Sequence, residues 1–354
     1  MIDSYGWSER LQQQFHPHAA QGLVPGRVIV QQRGLYRLAT PHGELSAELS
    51  GRFMHQAGPG EHPVAGDWTA CLARPDEGAA SIRAVLPRQG VFQRKDPDGG
   101  VQVMAAHVDV ALLVASLNAD LSLRRLERYL AAAWESGARP VVVLTKAALC
   151  PNVADLVLAV ESVAIGAEVL TVSALEGEGL EAVRALLPPG RTGVLLGSSG
   201  VGKSTLVNAL LGEARMATQA IREDDAHGRH TTTHRELILL PGGGLLLDTP
   251  GMRELGLWDA DEGVSAIFGD IEDLAGQCRF SDCAHEREPG CAIRAAIERG
   301  ELDADRWRGY VKLQRELAWL DRREDPLAQR EQRRVWTHRT KAFRAHLKQR
   351  ERDR

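Results

Sequence analysis

Between the apolar run TGVLL and the helix-like TLVNALL lies GSSGVGKST, Gly197 to Thr205, which fits G-x-x-x-x-G-K-[S/T]. A strand, a glycine-rich loop and a helix in that order build a phosphate cradle. The glycines let backbone N–H groups converge on phosphate oxygens, and the helix N-terminus adds its dipole. Gly197, Ser198, Ser199, Gly200, Val201, Gly202, Lys203, Ser204 and Thr205 are the expected nucleotide contacts. Lys203 would hold the β and γ phosphates, and the Ser204 hydroxyl would ligate Mg²⁺. Such a loop requires an α/β sheet around it, and the flanking sequence supplies one.

From residue 101 to 257 strand-like and helix-like runs alternate: VDVALLVASL, LSLRRLERYLAAAWESG, PVVVL, a helix over 154–163, EVLTV, a helix near 180–187, then the phosphate-loop strand. Alternation of this kind implies a mostly parallel sheet. Ser122 is the expected cap of the first helix. ELILLPGGGLLLD reads as two strands joined by a Pro-Gly turn, which makes one antiparallel edge. Upstream the texture differs. GRVIVQQ, GLYRLAT, GELSAEL, DWTACLA and SIRAVL are short β-like pieces at the spacing of a small barrel, so residues 26–93 are expected to form an OB-type β-barrel. Residues 1–25 read as a polar, partly helical lead-in closed by Pro25-Gly26, and Arg94 to Gly100 as a charged linker.

Downstream of the phosphate loop, DTPG (Asp248 to Gly251) ends the strand LLLD. Asp248 can reach Mg²⁺ through water, and the Gly251 N–H can sense the γ-phosphate. Between the two motifs, EDDAHGRHTTTH has no apolar periodicity and suits a nucleotide-responsive loop. Thr231, Thr232 and Thr233 are candidate Mg²⁺ ligands, and Thr232 is favoured. Phosphate loop, threonine loop and DxxG in this order indicate a GTPase-type switch domain. The base-reading loops that ordinarily follow DxxG are found before the phosphate loop: Thr145-Lys146-Ala147-Ala148 after one strand, Ser173-Ala174 after the next. The expected fold is therefore a circularly permuted α/β P-loop GTPase domain, and permutation is tolerated where the original termini lie close together.

CRFSDCAHEREPGC places Cys278, Cys283, His285 and Cys291 within fourteen residues. Three thiolates and an imidazole complete a tetrahedral shell and leave no open position, which predicts one structural Zn²⁺ in a small helical C-terminal domain over 258–354. Five cysteines in 354 residues are no disulfide framework. The formal charge of -4 argues against a uniformly basic coat. Locally, however, ten Lys/Arg face three acids over residues 330–354, where Trp336 and Phe343 are interleaved. That mixture suits an RNA-contacting arm or a solvated charged helix. No apolar run is long enough for a membrane span, and no signal peptide is read at the N-terminus, so a cytoplasmic location is expected.

Taken together, the barrel, the permuted order, GRHTTT, DTPGMREL, the Cys/His cluster and the basic tail resemble the ribosome small-subunit-dependent GTPase family (RsgA, also called YjeQ). The resemblance covers nearly the whole chain. It implies a GTPase that binds the small ribosomal subunit and its rRNA late in assembly and hydrolyses GTP when bound to it, as a monomer. Met252 stands where many GTPases place a water-orienting Gln, and it cannot orient water. The loop histidines His227, His230 and His234 are chemically equivalent candidates for that task; the family motif places it at His230. Ala148 departs from the family pattern, which has Asp there to hold the guanine edge. Its loss is expected to cost about 1.5–3 kcal/mol of base discrimination. Two other readings remain at this point: a nucleotide-gated docking module with little turnover, and a P-loop ATPase unrelated to ribosomes.

Overall fold

A computed structural model describes residues 1–32, 34–58, 60–95, 101–118, 121–214, 235–248, 261–280, 283–285, 288–304, 306–311 and 313–314. The chain divides into two compact units, Met1–Asp273 and Leu274–Arg354.

In the first unit a short 3₁₀ turn leads into α1 (Glu9–Ala19), whose cap Ser8 accepts a hydrogen bond from the Leu11 N–H. The lead-in is polar on average, yet Leu11 and Phe15 are buried against Trp68, Ala70 and Leu86. Each such side chain contributes about 1.5–3 kcal/mol by leaving water. The barrel follows with β1 (Val24–Gln32), β2 (Leu35–Thr40), β3 (Gly43–Leu49), α2 (Gly51–Gln56), β4 (Trp68–Arg74) and β5 (Ala79–Val85). Its strands run β1-β2-β3-β5-β4, and a β1–β4 pairing closes the ring. Pro25 and Gly26 do not close the lead-in. They lie inside β1, opposite Ala70 and Thr69 of β4. Gly26 is there for close packing, because a Cβ on it would stand 3.0 Å from Leu38.

The expected linker also differs. Arg94 and Lys95 end β6 (Phe92–Lys95), which pairs antiparallel with β7 (Val101–Ala105) in a two-stranded sheet. The alternation of Val101, Val103 and Ala105 is overshadowed by the charged, glycine-rich RKDPDGG before it, which reads as a break.

The α/β part comprises β8 (Val110–Ser116), α3 (Leu123–Glu135), β9 (Arg139–Thr145), α4 (Val153–Glu161), β10 (Glu168–Thr171), α5 (Leu180–Ala185), β11 (Thr192–Leu196), α6 (Lys203–Leu211), β12 (Arg235–Leu239) and β13 (Leu245–Asp248). Ser122 occupies the cap position of α3 but makes no side-chain cap bond. The strand order is β10-β9-β8-β11-β13-β12, all parallel except β12. The central strands are apolar on both faces: the adjacent pairs Leu112–Leu113, Val141–Val142 and Leu246–Leu247 are all at most 1% exposed, as a parallel sheet covered by helices requires.

Barrel and α/β sheet are one hydrogen-bonded surface, because β12 pairs with β1 through Val30–Glu236 and Gln31–Arg235. Arg27 reinforces the seam. Its Nη1 donates to the Tyr5 carbonyl at 2.8 Å and its Nη2 to Thr192 Oγ1 at 3.0 Å, with the guanidinium over the Trp68 ring. Burial pushes the Arg27 pKa down to about 10, which still leaves it charged at neutral pH.

After α7 (Asp261–Ala275), the second unit contains α8 (Ala292–Glu298), with Ile293, Ala296, Leu302 and Leu313 buried. Among the described residues, no helix is long and apolar enough to cross a membrane.

Candidate functional site

The site sits at the C-terminal edge of the parallel strands, where open α/β sheets bind ligands. β11 delivers the chain into the phosphate loop, and α6 begins at Lys203. Gly197 has φ +153°, and a Cβ there would collide with the Val114 carbonyl, so β8 admits only glycine at this point. Gly200 and Gly202 have φ +78° and +94°, and the loop therefore turns through conformations other residues resist. Lys203 Nζ donates to the Gly197 carbonyl at 2.6 Å and to the Ser198 carbonyl. Ser204 and Thr205 follow, half-buried in the first turn of α6.

Neighbouring strands bring the other motifs alongside. β9 ends in Thr145, which is buried and donates from Oγ1 to the Val201 carbonyl at 2.5 Å. Thr145 thus braces the phosphate loop. Lys146 adopts φ +61°, and Ala147–Leu149 form a 3₁₀ turn that leaves Ala148 exposed. β10 leads to Ser173, buried, whose backbone exchanges two hydrogen bonds with Glu178 at 3.0 and 3.1 Å and so closes a tight loop. Ala174 is half-buried in that loop, and Leu175 beside it is 84% exposed. The Ala147 N–H reaches the Val172 carbonyl at 3.5 Å, and the two base loops are thereby neighbours. Asp248 ends β13, opposite Glu236 near the start of β12. The motifs thus meet at one edge although their chain order is a circular permutation of the usual one.

One contributor has no motif to announce it. Arg125, half-buried on α3, donates from Nη1 to Ser198 Oγ across 73 positions of chain. The local signal is weak: Arg125 is one of three arginines on an amphipathic helix, where Arg124 is exposed and Arg125 is half-buried.

In the second unit Cys278, Cys283, His285 and Cys291 offer ligand atoms that all lie within 4.8 Å of one another. His285 Nδ1 is 3.5 Å from both Cys278 Sγ and Cys291 Sγ. Tetrahedral zinc with thiolates would set sulfurs about 3.8 Å apart, so the donor set fits with little contraction. Burial acts to raise the Cys278 thiol, but the N–H groups of Ala292 and Ile293 and hydrogen bonds from Cys283 and Cys291 together outweigh it, leaving its pKa lowered. The Trp307 ring packs edge-on to His285 at 5.3 Å and limits its orientation.

His227, His230, Thr231, Thr232, Thr233, His234, Gly251, Met252, Trp336 and Phe343 lie outside the described residues.

Strand order, loop convergence and the early position of the base loops define a circularly permuted P-loop GTPase. The RsgA GTPase family model matches residues 85–258. A small ribosomal subunit biogenesis GTPase RsgA of Streptomyces coelicolor is 48% identical over 345 residues, 96% of this chain and 92% of that protein. YjeQ of Thermotoga maritima superposes with a TM-score of 0.62 at 28% identity, over 84% of this chain and 99% of its own. YloQ, described as a circularly permuted GTPase, does so at 0.59 and 24% identity, over 84% and 95%. This chain belongs to the RsgA GTPase family.

Proposed function

We propose that the chain is a Mg²⁺-dependent GTP hydrolase that docks on the small ribosomal subunit during its late maturation and is stimulated by it. The observation that carries this reading is the convergence of Lys203, Thr145-Lys146, Ser173-Ala174 and Asp248 on one sheet edge in permuted order. The ribosomal context comes from relatives that are small ribosomal subunit biogenesis GTPases.

Water attacks the γ-phosphorus in line with the leaving β-phosphate oxygen. The loop N–H groups and Lys203 meet the charge that accumulates on the phosphate oxygens. His230 orients the attacking water, Thr232 contributes a further hydroxyl to the Mg²⁺ shell, and Gly251 senses the γ-phosphate. Ser204 and Asp248 supply a hydroxyl and a carboxylate, a hard oxygen set suited to Mg²⁺, which when bound neutralises phosphate charge. Cys278, Cys283, His285 and Cys291 hold a structural Zn²⁺ that contributes folding energy to a unit with a small core. With Ala148 at the guanine edge, base selectivity rests on the Lys146 stem and the N–H near Ala174, so discrimination against ATP is weak. The protein acts as a cytoplasmic monomer.

Phosphate release from GTP and from ATP, each with and without purified small subunits, tests the reading. Stimulation with GTP, with a smaller parallel effect on ATP, is expected. If subunits stimulate neither, the docking-module reading stands and the role of His230 falls.

A further inference from the structure

The phosphate loop carries two serines between Gly197 and Gly200, a composition that leaves its amides free to point in many directions. In the folded chain Ser198 is gripped at both ends. Its carbonyl accepts from Lys203 Nζ, and its hydroxyl accepts from Arg125 on α3. A third tie comes from the far side, where Thr145 holds the Val201 carbonyl. Lys203 and Thr145 belong to the motifs that define the site. Arg125 does not.

Arg125 lies with Ser122, Leu126 and Tyr129 along a small cleft between α3 and the phosphate loop, closed by Val114 of β8 and by Val201. Leu126 and Tyr129 are buried and fix the rotation of α3, which aims Arg125 at the loop. The guanidinium is permanently protonated and its donors have a fixed geometry, so it serves both as a clamp and as a constant positive charge. A loop already held in its binding shape loses less freedom when phosphates arrive. A cation within one Debye length of about 8 Å also raises the local concentration of polyanions.

We infer that Arg125 is a positioning residue of the nucleotide site, which sets the phosphate loop through the Ser198 hydroxyl and thereby controls affinity for the di- and triphosphate. This rests on the phosphate-loop reading above. Because the clamp acts on the loop and not on the base, it favours guanine and adenine nucleotides alike.

The experiment measures affinity for fluorescent GDP, together with KM and kcat of GTP hydrolysis, in the full chain carrying R125A, R125K, S198A or R125A/S198A. R125A should weaken nucleotide binding and raise KM about tenfold while kcat changes less than threefold. R125K keeps one N–H donor and should recover most of the loss. S198A should reproduce the part of the loss that comes from the clamp, and the double variant should be no worse than R125A alone, since coupled residues are non-additive. Thermal unfolding of S198A and R125K checks that the fold is retained. Additive losses, or an R125A that binds like the wild type, would overturn the inference. A wild-type chain that binds neither nucleotide would instead sink the phosphate-loop reading itself.

Discussion

The nucleotide site has two halves that are built differently. The phosphate half is tied down at almost every point: Gly197 fits against Val114, Lys203 and Arg125 grip Ser198, and Thr145 holds Val201. Its strand, β11, is anchored in turn, with Thr192 bonded to Arg27 and the Thr192 N–H donating to Asp109 at 2.8 Å. The base half has few such ties. Ala148 is exposed and its side chain carries no polar group, and Leu149 and Leu175 are 71% and 84% exposed. On the function proposed above, a chain built this way is expected to recognise polyphosphate strongly and the base weakly. Binding energy and base selectivity should therefore be separable by substitution.

The largest separation is expected at Lys203. Lys203→Ala removes a charge-assisted donor from the phosphates and should lower affinity for GTP and ATP equally, on the order of a hundredfold, by equilibrium titration. A loss confined to GTP would contradict the division into halves. Ala148→Asp acts on the other half. It restores a carboxylate to the guanine edge and should tighten GTP roughly tenfold to a hundredfold over ATP, leaving ATP affinity unchanged. An A148D chain with unchanged selectivity would mean that another group already reads that edge.

Thr145 lies on the border between the halves, and its behaviour is the finer test. From its place in the TK loop it reads as part of base recognition, whereas in the fold its hydroxyl braces the phosphate loop. Thr145→Val keeps the shape and strips the donor, leaving the Val201 carbonyl short of a partner at a cost of about 1–2 kcal/mol. Affinity for GTP and ATP should fall together by about tenfold. A selective loss of GTP would return Thr145 to the base half.

This contrast also explains what the sequence made legible. The phosphate loop, the barrel strands and the four metal-ligand residues are local patterns, in which a few neighbouring residues carry the whole constraint. Arg125–Ser198, Arg27–Thr192 and the β1–β12 pairing join segments 73, 165 and about 205 positions apart. Nothing in the neighbourhood of Arg27 or Arg125 marks its partner. Pro25-Gly26 misleads for the opposite reason: a strong local turn signal is overridden by barrel packing at Gly26. The polar lead-in conceals Leu11 and Phe15, whose spacing of four is one helical turn and a face of α1.

The smallest effect on nucleotide affinity is expected beneath the phosphate half, at the seam that supports it. His107 follows β7 with φ +55°, and its Nε2 is shut off from solvent without a hydrogen-bond partner. Burial, together with the charges of Arg27, Arg88 and Arg10, pushes its pKa down to about 3. In the unfolded chain an imidazole binds a proton below about pH 6.5. Between those values the unfolded state holds more protons than the folded one, so stability falls as the pH drops, by a few kcal/mol at most. Asparagine tolerates the same backbone conformation and does not titrate. His107→Asn should therefore flatten the decline in unfolding midpoint between about pH 6.5 and 4 relative to the wild type, while nucleotide affinity near pH 7.5 stays within about twofold. Burial drives Asp67 the other way, with its pKa raised, and the difference between the two chains isolates the histidine from it. Parallel pH curves would mean that the seam supporting the phosphate strand tolerates a charged imidazole.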